Sequence, residues 1–92
     1  MAARSGWTLD RPSAGRTLGE WKAREHPDAN LIRRLWDWVL DLLNDPTHRG
    51  REDPDQPGAY YGRIPETNVG VTFVLDFDER VVHVVIIATL GR

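Results

Sequence analysis

Three side chains in this sequence, Tyr61, Arg63 and His83, carry the chemistry a surface needs to hold a phosphate and move a proton. A guanidinium pairs with two phosphate oxygens at once, and imidazole is the side chain that changes charge near neutral pH. A phenol adds a hydrogen-bonding group beside them. Whether the three meet depends on strand register. If Ile64 pairs with Val69, then Arg63 opposes Gly70, Tyr61 opposes Thr72 and Ala59 opposes Val74. The next strand sets His83 opposite Val74. All three then share the sheet face away from Phe73 and Leu75, with Gly70 leaving a gap beside Arg63. The same residues also describe an ordinary solvated sheet face with a histidine among valines.

The elements that position them are organised around Val69–Leu90. Val69, Val71, Phe73, Leu75 and Phe77 alternate at period 2, as in a strand with one buried face. After the charged break at Asp76–Arg80, Val81–Leu90 is apolar on nearly both faces, as in a central strand. Pairing Leu75 with Val82 and Phe73 with Val84 extends to Val71 with Ile86 and Val69 with Ala88. This puts apolar side chains opposite one another along the core face.

Upstream, Trp7–Asp10 reads as a short strand ended at Arg11-Pro12. Ser13 is placed to cap a helix over Ala14–Glu25, weakened by Gly15 and Gly19. Pro27–Leu43 is the strongest helical pattern, with Ile32, Leu35, Val39, Leu42 and Leu43 as its core stripe. Trp36, Trp38 and Leu40 widen that stripe beyond what one sheet face needs, so they are candidates for a docking surface toward a partner or a second copy of the chain. The competing reading buries them between the sheet and the first helix. Asp45–Gly58, DPTHRGREDPDQPG, reads as a mobile polar loop, and its acids and His48 as solvated. Ala59–Ile64 is a third strand. The resulting order is β-α-α-β-β-β, an α+β domain with two helices on one face of a small antiparallel sheet.

Composition narrows the function classes. The 92 residues suit one domain over the whole chain, and the absence of cysteine removes disulfides and thiolate metal sites. The sequence shows no phosphate loop, nucleophile elbow or His-x-x-x-His pair, so neither a cofactor nor a metal is expected. No apolar run approaches the roughly 20 residues of a membrane span, and the start MAARSGW has no signal-peptide core. A cytoplasmic protein is expected. The net charge of −2 is weak for a protein devoted to nucleic acid, although the first third is mildly cationic.

Several short patterns follow one another in a telling order. Trp7-Thr8-Leu9-Asp10 precedes Ser13-Ala14-x-x-x-Leu18-x-x-Trp21, and the second helix closes as Leu42-Leu43-Asn44-Asp45-Pro46. Then come Gly58-x-Tyr60-x-Gly62-Arg63 and Val71-x-Phe73-x-Leu75-Asp76-x-Asp78-Glu79-Arg80-Val81-Val82-x-Val84. In this order the chain resembles the RelE/ParE superfamily of bacterial toxins from toxin–antitoxin pairs, over about Trp7–Leu90. The resemblance implies the helix-pair-on-sheet fold and a cognate antitoxin that wraps the toxin. It also implies two activities. One branch cuts mRNA on the ribosome, without metal, using basic residues of the middle strands and a Tyr or His near the C-terminus. The other poisons DNA gyrase without that residue set. By the family's pattern Arg63 falls on one basic position, Tyr61 stands where another is common, and Gly70 stands where an arginine opens the next strand. The closing Gly-x-Arg pattern reads here as Thr89-Leu90-Gly91-Arg92, which adds Arg92 to the candidate site.

Two functions therefore stand side by side. One is a toxin that acts on mRNA at the ribosome and is neutralised by an antitoxin. The other is a non-catalytic protein-binding module, gyrase-inhibitor-like or degenerate, working through its apolar helix.

Overall fold

The computed structural model describes residues 6–90 of the chain. Two helices pack on one face of a five-stranded sheet. The elements run β1 (Thr8–Leu9), α1 (Arg11–Glu25), α2 (Ala29–Leu42), a 3-10 turn (Pro46–His48), β2 (Arg51–Glu52), β3 (Ala59–Arg63), β4 (Val69–Asp76) and β5 (Val81–Thr89). In space the strands lie β1-β5-β4-β3-β2. The α+β class and the helix pair agree with the expectation from sequence. The sheet is mixed, however, because β1 runs parallel to β5 while all other pairs are antiparallel.

Both helix starts follow from local chemistry. α1 begins three residues earlier than its sequence suggests, behind Asp10, with Pro12 in the first turn where its missing N–H costs nothing. Ser13 is inside the helix, and its hydroxyl donates back to the Asp10 carbonyl at 3.0 Å. His26 closes the helix in the left-handed region, returning its N–H to Lys22. Asp28 then caps α2 by accepting the Leu31 N–H at 2.8 Å.

The core lies between the helices and one sheet face. Trp21, Leu35, Val39 and Leu42 meet Val71, Phe73, Leu75, Val82, Val84 and Ile87. Trp38 joins them at 7 % exposure, edge-on to Phe73, whose other neighbour Tyr60 is stacked at 5.7 Å. The expectation that Trp38 is a docking residue is therefore corrected. It fits over Gly62, where an added Cβ would fall 2.7 Å from its ring.

Register departs from the sequence reading at one point. Leu75–Val82, Phe73–Val84 and Val74–His83 pair as expected, but Thr72 then opposes Ile86, Val71 opposes Ile87 and Val69 opposes Thr89. Val85 is the extra residue of a β-bulge. The bulge shifts parity, so Val85 and Ile86 are both exposed and Ile87 returns to the core. A run that is apolar on both faces gives no alternation from which such a shift can be read.

Beyond β1, the outer edge of β5 is covered by α1. The Thr17 hydroxyl donates to the Val84 carbonyl at 2.9 Å, Arg24 donates to the Ile87 carbonyl at 2.8 Å, and the Thr89 N–H donates to the Glu25 carboxylate at 3.4 Å. Side chains thus occupy an edge that would otherwise be open to strand addition. Thr89 beside Glu25 holds that carboxyl below its ordinary range, with Arg24 adding to the effect. A carboxyl lowered in the folded state contributes stability above its unfolded value, and the contribution is lost as pH falls through the folded value. Chemical denaturation of wild type and Glu25→Gln between about pH 5 and pH 3 should accordingly show the steeper loss in wild type. Parallel pH profiles would remove Glu25 from the account.

Asp45–Gly58 is less of a loop than its composition suggests. Pro46 is fully buried, and β2 adds a fifth strand by pairing Arg51 with Tyr61 and Glu52 with Tyr60. Gly50 makes that docking possible, because a Cβ there would sit 2.8 Å from the Tyr61 carbonyl oxygen.

Candidate functional site

The face of the sheet away from the helices carries the site. Arg63 opposes Gly70, Tyr61 opposes Thr72 and Ala59 opposes Val74, as the sequence implies. Tyr61 and Arg63 are thus brought together, both exposed. The gap at Gly70 is not open, since Tyr61 fills it. A Cβ built on Gly70 would lie 2.9 Å from Tyr61 ring carbons. Glycine at 70 lets the phenol lie flat across β4 toward the Arg63 row.

β2 and the 3-10 turn complete the arrangement. Arg51 stands directly across from Tyr61, and the turn delivers His48 and Arg49 to the same place. His48, Arg49, Arg51, Tyr61 and Arg63 line a cavity of about 440 Å³, with Gly50 and Gly62 between them and no carboxylate on its wall. Arg49 is ion-paired to Asp41, and His48 Nδ1 lies 2.7 Å from Asp45 Oδ2. That His48 contact holds the Asp45 carboxyl below the ordinary carboxylate range. Among the described residues, neither Arg51 nor Arg63 has a carboxylate partner. An acidic protein here presents two unpaired guanidiniums within one concavity. Such a site suits an anion with several oxygens.

His83 does not belong to this group. It lies on the open face, but in the Ala59–Val74 row, and its Nδ1 turns to Asp10 Oδ2 at 3.1 Å. Strand spacing puts it on the order of 12 Å from Tyr61. Asp10, at the start of α1, makes no side-chain capping bond to the helix. Its carboxyl is held below the ordinary range first by the neighbouring Ser13 and then by His83. The pair fastens β1 and α1 to β5. Arg92 lies outside the described residues.

The imidazole of the cationic cavity is instead His48, which reads from sequence as a solvated loop residue. The missed signal was Arg49-Gly50-Arg51, a basic pair two apart ahead of a Pro/Gly-rich turn and a strand. That pattern describes a hairpin arm as readily as a loop. No cluster of three or more His, Cys, Asp or Glu placed to hold a metal occurs among the described residues.

A second surface lies where β1 meets the exposed flank of α2. Trp36 is half-buried and Leu40 is 52 % exposed. With Trp7, Leu9 and Leu43 they line a depression of about 470 Å³, and Phe77 packs edge-on against Trp7. Two of the three candidate docking residues are thus at the surface. No helix among the described residues is long and apolar enough to cross a membrane.

No family model matches this chain, and no curated protein does. Solved structures do. The chain resembles the isolated E. coli RelE toxin at 17 % identity, covering 94 % of this chain and 85 % of that one, with a TM-score of 0.66. It resembles a chain of the intact E. coli RelBE toxin–antitoxin complex at 17 % identity, covering 94 % and 98 %, with a TM-score of 0.68. A doubly arginine-substituted E. coli RelE bound to an antitoxin RelBc peptide matches at 15 % identity over 97 % and 87 %, with a TM-score of 0.66. At such identities the likeness is one of fold, and it covers nearly the whole chain.

Proposed function

We propose that this chain is the toxin of a toxin–antitoxin pair and that it cleaves mRNA on the ribosome through the cationic cavity around Tyr61. One observation carries the reading. Within a RelE-type fold, an acidic protein gathers Arg49, Arg51 and Arg63 about one phenol and one imidazole, with two guanidiniums unpaired.

The cavity supplies the parts of a 2′-hydroxyl transesterification. The 2′-oxygen attacks the adjacent phosphorus, the bond to the 5′-oxygen breaks, and the products are a 2′,3′-cyclic phosphate and a 5′-hydroxyl. Charge on the phosphoryl oxygens grows along this path, and Arg51 and Arg63 face it from neighbouring strands. Asp45 accepts from His48 Nδ1, which leaves Nε2 to take the 2′-proton and to return a proton to the departing oxygen. The Tyr61 hydroxyl, beside Arg63, hydrogen-bonds the same phosphate.

The antitoxin takes the apolar depression of Trp7, Trp36 and Leu40. A charge there should weaken the complex without unfolding the toxin, because Leu40 is outside the core. Leu40→Glu is expected to lower antitoxin affinity at least tenfold by calorimetry, the scale of losing one interface anchor. Unchanged affinity would show that the antitoxin docks elsewhere.

The reading itself is tested by inducing the gene alone and with its neighbouring antitoxin gene. Growth arrest relieved by the second gene is the expected result. Arrest with every transcript intact would instead favour a protein target, reached through the apolar depression.

A further inference from the structure

Tyr61 and Arg51 belong to two concavities at once. On the side away from Arg63 lies a second depression of about 380 Å³, floored by Ala59 and bounded by Asp53, Gln56 and Thr72. Its shape follows from the strands. Asp53 N–H donates to the Ala59 carbonyl at 2.8 Å, so the β2–β3 pairing continues past Glu52 and sets Asp53 beside Ala59. Side chains alternate along β2, so Asp53 shares the open face with Arg51. The single methyl of Ala59 leaves the floor low between the Tyr61 row and the Asp53 turn. Where the first concavity is cationic throughout, this one shares the Tyr61 phenol and the Arg51 guanidinium with it and adds the Gln56 amide and two carboxylates, Asp53 and a Glu52 whose Oε2 is taken by the Gly58 N–H.

We propose that this depression is a nucleobase site that selects guanine next to the phosphate held by the cationic cavity; the proposal rests on the reading that the cavity binds RNA. Tyr61 is 41 % exposed and gives a base an aromatic surface at the point where the two concavities meet. Asp53 Oδ1 accepts the Asp55 N–H at 2.9 Å, which fixes the carboxylate, and Oδ2 has no partner among the described residues. A carboxylate only accepts, so it requires a base edge made of donors. Guanine presents N1–H and the 2-amino group side by side. Uracil presents one N–H between two carbonyls that a carboxylate repels. Adenine and cytosine each set an amino group beside an acceptor nitrogen. The Gln56 amide can donate to guanine O6.

The test is fluorescence anisotropy with the full chain and fluorescein-labelled hexauridylates carrying one internal guanine, inosine, adenine or cytosine, or none. Guanine should bind best, about tenfold tighter than uracil, with inosine between them because it lacks the 2-amino group. Asp53→Asn should remove the preference, and so should Ala59→Leu, which fills the floor. Both variants should keep the salt dependence of binding, whereas Arg63→Ala weakens all five oligonucleotides alike. Salt-dependent binding with no base preference would overturn the guanine site and leave the RNA reading standing. A preference that survives both variants would also overturn it. Absence of salt-dependent binding to any oligonucleotide would overturn both.

Discussion

Arg63→Ala should lower mRNA cleavage on translating ribosomes by about 10²-fold or more, the scale of losing a preorganised charge partner for the reacting phosphate. Arg63 is exposed and has no ion pair among the described residues, so its removal should leave the thermal midpoint nearly unchanged. The loss would then be one of chemistry, not of fold. Arg51→Ala should follow it, because Arg51 faces the same cavity from β2. His48→Gln should cost about 10²-fold, as expected for a lost proton carrier, and His83→Gln should cost little. That contrast separates the two histidines. His48 sits beside the arginines, and His83 is turned to Asp10 on another row of the sheet. Equal losses for both histidines would mean that the cavity around Tyr61 is not the reacting centre.

Trp38→Ala should destabilise the domain by about 3–5 kcal/mol, the usual cost of emptying a large aromatic site. Its ring is buried against Phe73 and over Gly62, so nothing nearby can collapse to fill the space without moving β3. Small domains have only about 5–15 kcal/mol to lose, so a sizeable fraction of the variant should be unfolded at 37 °C. Leu40→Glu, two residues on, should shift the urea midpoint very little. A Trp38→Ala unfolding free energy within about 0.5 kcal/mol of wild type would show that the residue is not a core anchor.

The difference between Trp36, Trp38 and Leu40 also shows where sequence stops being informative. All three widen the apolar stripe of α2, and helical periodicity cannot say which flank is covered. Trp38 is covered because Gly62 lets β3 approach it, which is a fact about two distant residues. Strands β3 and β4 were legible because Val69, Val71, Phe73 and Leu75 recur at every second position, with Gly70, Thr72 and Asp76 among the residues between them, and their register placed Tyr61 and Arg63 correctly. β5 was legible only as far as Val84. Its bulge lies within Val84-Val85-Ile86-Ile87, where every side chain is apolar.

The candidate site was half legible for a related reason. Tyr61 and Arg63 lie on a regular strand, so period 2 finds them. Arg49, Arg51 and His48 lie in a segment whose prolines and charges read as coil. They reach the site because Gly50 lets a two-residue strand dock against β3. His83 was placed on the right face, but its partner is Asp10, 73 residues away in the chain. No local pattern marks that pairing.

Mapping transcript ends within minutes of inducing the gene decides whether the cavity around Tyr61 cuts RNA. New breaks inside coding regions, ending in 2′,3′-cyclic phosphate and 5′-hydroxyl, are expected in cells making wild type and not in cells making equal amounts of Arg63→Ala. Growth arrest by both proteins with transcripts left intact would contradict cleavage by this cavity.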